Sequence, residues 1–313
     1  MRKYPAILLL LCLCTLCNGQ NLARYEAQAE VGKFQAAVSF LADDMNAGRG
    51  SGTTGIQVAG QYIVSHFRQA GLLPWMWNYT QSFPYGDSTV MRNVIGWVPS
   101  IFPSDEYVLV CAHYDHLGTI NGTIYNGADD NASGVAALIV MAQMFAQMRQ
   151  DGGGPCKNVI FAAFDGKESS SAGAKHFLKA WPFERRRLTA VVNMDILGTD
   201  LVPYGKNRSY LIALGEETLP YRYRGYLDYL SKRIRYNMQV GLDFYGSRDF
   251  TRMMYRSGDQ AVFAEAGIPS VLLTSGFHQH TYKASDDADI INYPLLRRRT
   301  LLIFNFVNHL CGD

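Results

Sequence analysis

Two short clusters of side chains stand out for their chemistry. His113-Tyr114-Asp115-His116 is followed, after a short loop, by Gly127-Ala128-Asp129-Asp130-Asn131. Imidazole and carboxylate are both competent ligands for a divalent metal such as zinc. Asp115 lies two residues after His113, so on an extended chain the two side chains point the same way. From there Asp115 could hold the second ring nitrogen of His113 and fix its tautomer. The plainer reading makes Asp130 or Asn131 a helix cap and His113 a loop residue satisfied by its neighbours. Three later clusters repeat the theme: Asp165-Gly166-Lys167-Glu168, Asp195 after Met194, and His278-Gln279-His280-Thr281. A lone donor of this kind says little. His113, Asp129, Glu168, Asp195 and His280 together would form a metal site if one edge of a sheet gathered them.

The flanking segments predict such an edge. Tyr107 to Ala112, Asn158 to Phe164, Leu188 to Met194 and Ile268 to Thr274 are short apolar runs rich in β-formers, and each is followed by a potential ligand. Helical periodicity appears over residues 28–46, Thr54 to Ala70, Val135 to Met148, Ala172 to Leu178, Tyr221 to Ile234, Ala261 to Ala266 and Tyr293 to Leu310. Gly71 supplies a stop for the second of these. Uninterrupted apolar strands alternating with helices predict an α/β fold with a mixed, mostly parallel central sheet covered by helices on both faces. In such sheets sites form outside the carboxyl ends of the strands, where the donors lie.

Composition narrows the functional classes. With 48% hydrophobic and 18% charged residues the chain reads as an ordinary globular protein. Its formal net charge is +2, and Arg2 and Lys3 account for both charges, so no basic stripe suggests nucleic acid. Residues 1–19 read as a secretory signal peptide, with Ala6 to Leu16 as the apolar region and Cys17 and Gly19 before a cleavage at Gln20. The rival is a lipoprotein signal acylated at Cys17, which Leu16 matches poorly. Residues 20–313 are then expected to form one domain in the periplasm or outside the cell, with no integral membrane segment. Cys111, Cys156 and Cys311 remain after cleavage; three cysteines define no disulfide framework, and Cys111 is expected in the core.

The chain resembles the M28 family of zinc exopeptidases, the co-catalytic two-zinc aminopeptidases. The matching motifs are His113-Tyr114-Asp115-His116-Leu117-Gly118, Gly127 to Gly134, Gly166-Lys167-Glu168, Asn193-Met194-Asp195 and His280-Thr281, with Gly48-Arg49 a less diagnostic lead-in. The resemblance implies two zinc ions bridged by Asp129. One would be completed by Glu168 and His280, the other by His113 and Asp195, with Asp115 orienting His113. It implies an aminopeptidase that cleaves N-terminal residues from peptide substrates with a metal-activated water. One position departs from the pattern: Lys167 stands where the family places the glutamate that accepts the water's proton. An ammonium accepts no proton, and half-neutralising it at neutral pH needs a downward shift of about three units from its usual pKa of about 10.4. Either Lys167 is neutral, bypassed or replaced by a group such as Asp165, or the chain is a metal-binding homologue that serves as a peptide-binding module. A glutaminyl cyclase of related fold, with one metal, is the third alternative.

Overall fold

The computed structural model describes residues 22–312 except 76, 202, 203, 205, 206, 234 and 235. The leader expected at residues 1–19, including Cys17, lies outside the described residues. After a helical turn at 22–26, helices α1 (Val31–Leu41) and α2 (Thr54–Ala70) lead into strands β1 (Leu73–Pro74), β2 (Thr80–Tyr85), β3 (Thr89–Val98) and β4 (Tyr107–His113). A small hairpin, β5 (Gly118–Ile120) and β6 (Thr123–Tyr125), precedes an irregular turn and α3 (Gly134–Gln150). Then come β7 (Asn158–Phe164), α4 (Ala172–Lys179), β8 (Leu188–Met194), β9 (Tyr210–Leu214), α5 (Tyr226–Ser231) and β10 (Gln239–Gly241). The chain closes with α6 (Arg248–Ser257), α7 (Gln260–Glu265), β11 (Ser270–Thr274) and α8 (Tyr293–Leu310).

The main sheet runs β1-β3-β7-β4-β8-β11-β9-β10, with β2 on β3. Its centre, β7-β4-β8-β11, is parallel, while β3 joins β7 and β9 joins β11 in the antiparallel sense. Register carries the functional consequence. His113 pairs with Phe164, Cys111 with Asn193, and Met194 with Leu273. The segments after β4, β7, β8 and β11 therefore leave the sheet at one edge.

Both faces are covered because successive side chains of a strand alternate. Val108, Val110 and Ala112 of β4 enter a core built with α1, α2, α3 and α8, whereas Leu109 and Cys111 face a second core with Ala174 and Phe177 of α4 and Phe263 of α7. The free thiol of Cys111 is buried there, as expected of a small core residue. Helix α2 starts where Thr53 Oγ1 accepts from Ile56 N–H at 3.4 Å, and stops at Gly71, whose φ of 82° suits glycine.

Two expectations change. The helix predicted from Tyr221 shrinks to Tyr226–Ser231, because Gly225 takes a φ of 74° and ends the preceding turn, Tyr221–Tyr223. One stretch of residues 20–313, Ala128–Gln150, is long and apolar enough to cross a membrane by length and composition; 89% of its most apolar window is buried inside the protein. A helix apolar on every side belongs in a core, and this one packs against α1, α2, α8 and the sheet.

Candidate metal centre

The site is assembled by a residue that does not enter it. Arg49 is fully buried and spends its donors on backbone carbonyls: Nε on Tyr114 (2.9 Å), Nη1 on Leu41 and Asn126 (both 2.6 Å), and Nη2 on Gly127 (2.9 Å). It ties the loop after β4 to the turn that begins at Gly127. Burial lowers its pKa to about 10, offset in part by Asp286 and Asp115, so the guanidinium stays charged at neutral pH. Gly127 has a φ of 59°, and a Cβ there would collide with the Asp130 carbonyl and the His116 ring. No side chain fits.

Between Gly127 and α3 the chain kinks at Asp130 (φ −107°, ψ 82°) and Asn131 (φ −138°, ψ 39°), and the peptide joining them is cis. Asn131 holds the kink by donating to the Met194 carbonyl (2.9 Å) and accepting from Ile196 N–H (3.1 Å). Asp286 receives the N–H groups of Asp129 (2.8 Å) and Asp130 (3.0 Å). The kink separates two adjacent aspartates. Asp130 turns to the strand edge, where its Oδ1 lies 3.2 Å from His113 Nε2; Asp195 Oδ1 lies equally close to the same nitrogen. Asp129 turns away and accepts from Gly198 N–H (2.5 Å) and faces His278 Nε2 (3.0 Å).

Two groups of donors result, each with its donor atoms within 4.8 Å of one another: His113, Asp130 and Asp195, and His116, Asp130 and Glu168. Asp130, not Asp129, is the residue common to both. This corrects the expectation for Asp129, and the kink is the physical reason. His280 is also elsewhere. A tight turn, closed by Thr281 N–H to the His278 carbonyl (3.0 Å), directs its ring to Ser285 Oγ (2.9 Å) and Gln279 Nε2 (3.1 Å). His116 stands in the group where His280 was expected. His113, Glu168 and Asp195 do converge. Asp115 lies beneath them with a division of labour: its carbonyl meets His113 Nδ1 at 3.0 Å, while its carboxylate accepts from the N–H groups of Lys167 (3.0 Å) and Glu168 (3.1 Å). Asp165, the alternative base, is committed to Ser51 Oγ (2.6 Å) and Arg92 N–H (2.9 Å), and burial with nearby Asp115 pushes its carboxyl up to about 7.

Zinc fits the first group on chemical grounds. A carbonyl only accepts, so His113 carries its proton on Nδ1, and the Nε2 lone pair then faces two carboxylate oxygens. That arrangement calls for a cation between them, either a proton or a metal. Neither oxygen of Asp130 has a hydrogen-bond partner among the described residues, although the side chain is fully buried. Without a metal, burial resists an imidazolium, but Asp195, aided by Asp115 and Asp130, outweighs it and holds the His113 pKa well above the ordinary value.

The second group already contains a cation. Lys167 Nζ sits 2.9 Å from Glu168 Oε1, 3.2 Å from the Tyr282 hydroxyl and 3.8 Å from Asp130 Oδ1. Burial opposes its charge, but Asp130, Asp195 and Glu168 overcome that and hold its pKa well above the usual lysine value. A lysine that loses its proton is one alternative the sequence offers; its neighbours here act in the other direction. Burial likewise opposes ionisation of Asp130, and Lys167, His113 and His116 prevail, keeping this carboxyl well below the usual range. Burial lowers His116 to about 4, so its ring is neutral, and neither ring nitrogen has a hydrogen-bond partner among the described residues. A metal ion does not fit this group beside the lysine.

Asp130, His116 and Tyr282 are the site residues that sequence reasoning placed wrongly, set aside or passed over. The Asp-Asp doublet signalled the first, but only the kink selects between its members. Tyr282 has a φ of 60° and closes over Lys167 with its ring 5.4 Å from Nζ; no local pattern marks it.

Comparison with known proteins bears on the family and the fold. The model of Peptidase family M28 matches residues 93–307. A probable zinc metalloprotease of Pyrenophora teres f. teres (strain 0-1) is 26% identical over 174 residues, which is 51% of this chain and 36% of that protein. The match thus spans little more than a third of the fungal relative. The fold is similar to a zinc aminopeptidase from Bacillus subtilis, with a TM-score of 0.69, 14% identity and coverage of 91% of this chain and 96% of that one. It is equally similar to Porphyromonas gingivalis glutaminyl cyclase, at TM-score 0.69, 15% identity and coverage of 90% and 98%.

Proposed function

The chain belongs to peptidase family M28, and from that premise we propose that it is a zinc-dependent exopeptidase of the aminopeptidase type that acts on peptides outside the cytoplasm. The location rests on the leader-like residues 1–19. The observation that carries the activity is the His113 Nε2 lone pair facing Asp130 and Asp195 across a buried gap. His113, Asp130 and Asp195 hold the zinc, and Asp115 fixes the ring of His113 through its own carbonyl. Bound zinc supplies Lewis-acid polarisation of a scissile carbonyl and acidifies water.

The protein's own groups set the rest. Lys167, held as an ammonium, takes no proton. Glu168 is outside the first group, its side chain is 20% exposed, and burial raises its carboxyl against the pull of Lys167. A carboxylate whose basicity burial raises is suited to accept a proton. Glu168 is therefore the residue assigned that role, with Lys167 holding its Oε1 in place. Similar folds serve an aminopeptidase and a cyclase, so the choice between those reactions rests on the test.

The experiment is peptide release by the mature chain, residues 20–313, loaded with zinc and offered a panel of aminoacyl substrates with a chelator control. Chelator-sensitive release of N-terminal residues supports the reading. Cyclisation of N-terminal glutamine without release overturns it in favour of a cyclase. Zinc bound without turnover of any substrate overturns it in favour of a peptide-binding role.

A further inference from the structure

The geometry points to an internal cation in the second half of the site: the Lys167 ammonium occupies the place of one of two metal ions, and the folded chain holds a single divalent ion. This rests on the zinc reading above and deepens it, because it replaces the paired ions that the motif pattern implies with one ion and one side chain.

Three observations carry it. The first is position. Nζ lies among the donors of the second group, 2.9 Å from Glu168 Oε1 and 3.8 Å from Asp130 Oδ1. Zinc binds carboxylate oxygen at about 2.0–2.2 Å, so an ion on Glu168 and Asp130 would have to displace the ammonium. The second is enclosure. The Lys167 side chain is 5% exposed. Tyr282 caps it, with its hydroxyl 3.2 Å from Nζ and its ring stacked on His116 at 6.3 Å. The lysine backbone is pinned from below by Asp115, whose other oxygen takes the next N–H. Neither end of the side chain is free to withdraw.

The third is charge. Asp130, Asp195 and Glu168 bring three negative charges, and Lys167 returns one positive charge. Among these donors the remaining pair of negative charges is neutralised by one dication, with His113 neutral as a metal ligand requires. Two dications would leave the buried cluster positive, and desolvated charge without a partner is costly. A glutamate at position 167 would instead create the negative charge that two dications balance. The lysine thus sets the number of ions.

The test is metal content, measured by atomic emission after equilibrium dialysis against buffered zinc, on residues 20–313 and on Lys167→Met, Lys167→Glu and Asp195→Asn. Cobalt(II) spectra of the same samples report the donor set directly. The natural chain should retain one ion, both lysine variants two, and Asp195→Asn should lose the ion from the first group. The lysine variants should also gain at least about a hundred-fold in affinity for the second ion, a factor of ten for each ~1.4 kcal/mol. Two ions in the natural chain would overturn the inference and leave the zinc peptidase reading standing. One ion in both lysine variants would do the same. No ion in the natural chain would remove both. Should the variants fail to fold, the stoichiometry of the natural chain still decides.

Discussion

The two donor groups share Asp130 and differ in what completes them. In the first, His113 and Asp130 are fully buried and Asp195 nearly so, and neither Asp130 oxygen has a hydrogen-bond partner among the described residues. In the second, Glu168 is half-buried and the lysine from the preceding position fills the gap. One group is unfinished without an external cation; the other is finished by the chain. The contrast sets a group whose carboxylates face an imidazole nitrogen beside one whose carboxylates already face an ammonium.

The largest effect expected on the first group comes from its shared member. Asp130→Ala should release zinc and lower peptide release by at least about 10²-fold, the scale of losing metal-assisted chemistry. Asp129→Ala should keep its zinc, since that carboxylate is engaged with Gly198 and His278. Metal content of the two variants checks both statements, and the opposite result would return the bridging role to Asp129.

The second group should respond in the reverse sense. Lys167→Met, freed of metal, leaves Asp130 and Glu168 without their cation, a loss of about 3–5 kcal/mol for one partner of a buried pair. Added zinc should restore that stability, which denaturant titration with and without zinc would reveal. Equal instability in both conditions would mean that the lysine packs rather than balances charge.

A carboxyl that belongs to neither group but feels the first is Asp259, fully buried at the head of α7, which burial pushes up to about 6 while His113 draws it down. A raised folded-state pKa means the folded chain favours the proton. The contribution to stability is therefore complete below about pH 4, the unfolded value, and is lost as pH rises through about 6. Asp259→Asn, uncharged throughout, should flatten that slope and gain on the order of 2–3 kcal/mol above pH 6. Thermal melts across pH 4–8 measure it; an unchanged slope would place the titration elsewhere. The smallest effect is reserved for His280→Ala, whose ring lies outside both groups on Ser285. Zinc content should not change, and stability should move by less than about 1 kcal/mol. Loss of zinc would restore the ligand role that the motif suggested.

These contrasts also mark where sequence reading succeeds. Asn158–Phe164 and Leu188–Met194 are strands with the boundaries their apolar runs suggest, because strands buried on both faces carry no alternation to confuse them. Their parallel order followed from the helices between them, and with it the convergence of His113, Glu168 and Asp195. What sequence could not supply was the direction of side chains within irregular segments. Asp129 and Asp130 are neighbours of one type, and only the non-helical backbone at Asp130 and Asn131 separates them. His278 and His280 are parted by a turn closed from Thr281. Periodicity is silent in such places, since it reports only regular elements. The ammonium of Lys167 was visible as a departure from the motif; that it lies among the donors depended on Tyr282, distant in sequence.

Arg49 has a consequence for how much chain the site needs. The stretch that matches the family begins at residue 93, yet the guanidinium that joins the carbonyls of Leu41, Tyr114, Asn126 and Gly127 comes from well before it. A fragment starting at residue 93 would keep every ligand and lose the clasp that brings their loops together. Two of the carbonyls it left behind would sit at the very turn that presents Asp130. In a chain emerging amino end first, this segment must wait for the strands and then close over them, so the smallest unit able to fold into a competent site is longer than the smallest unit that can be recognised.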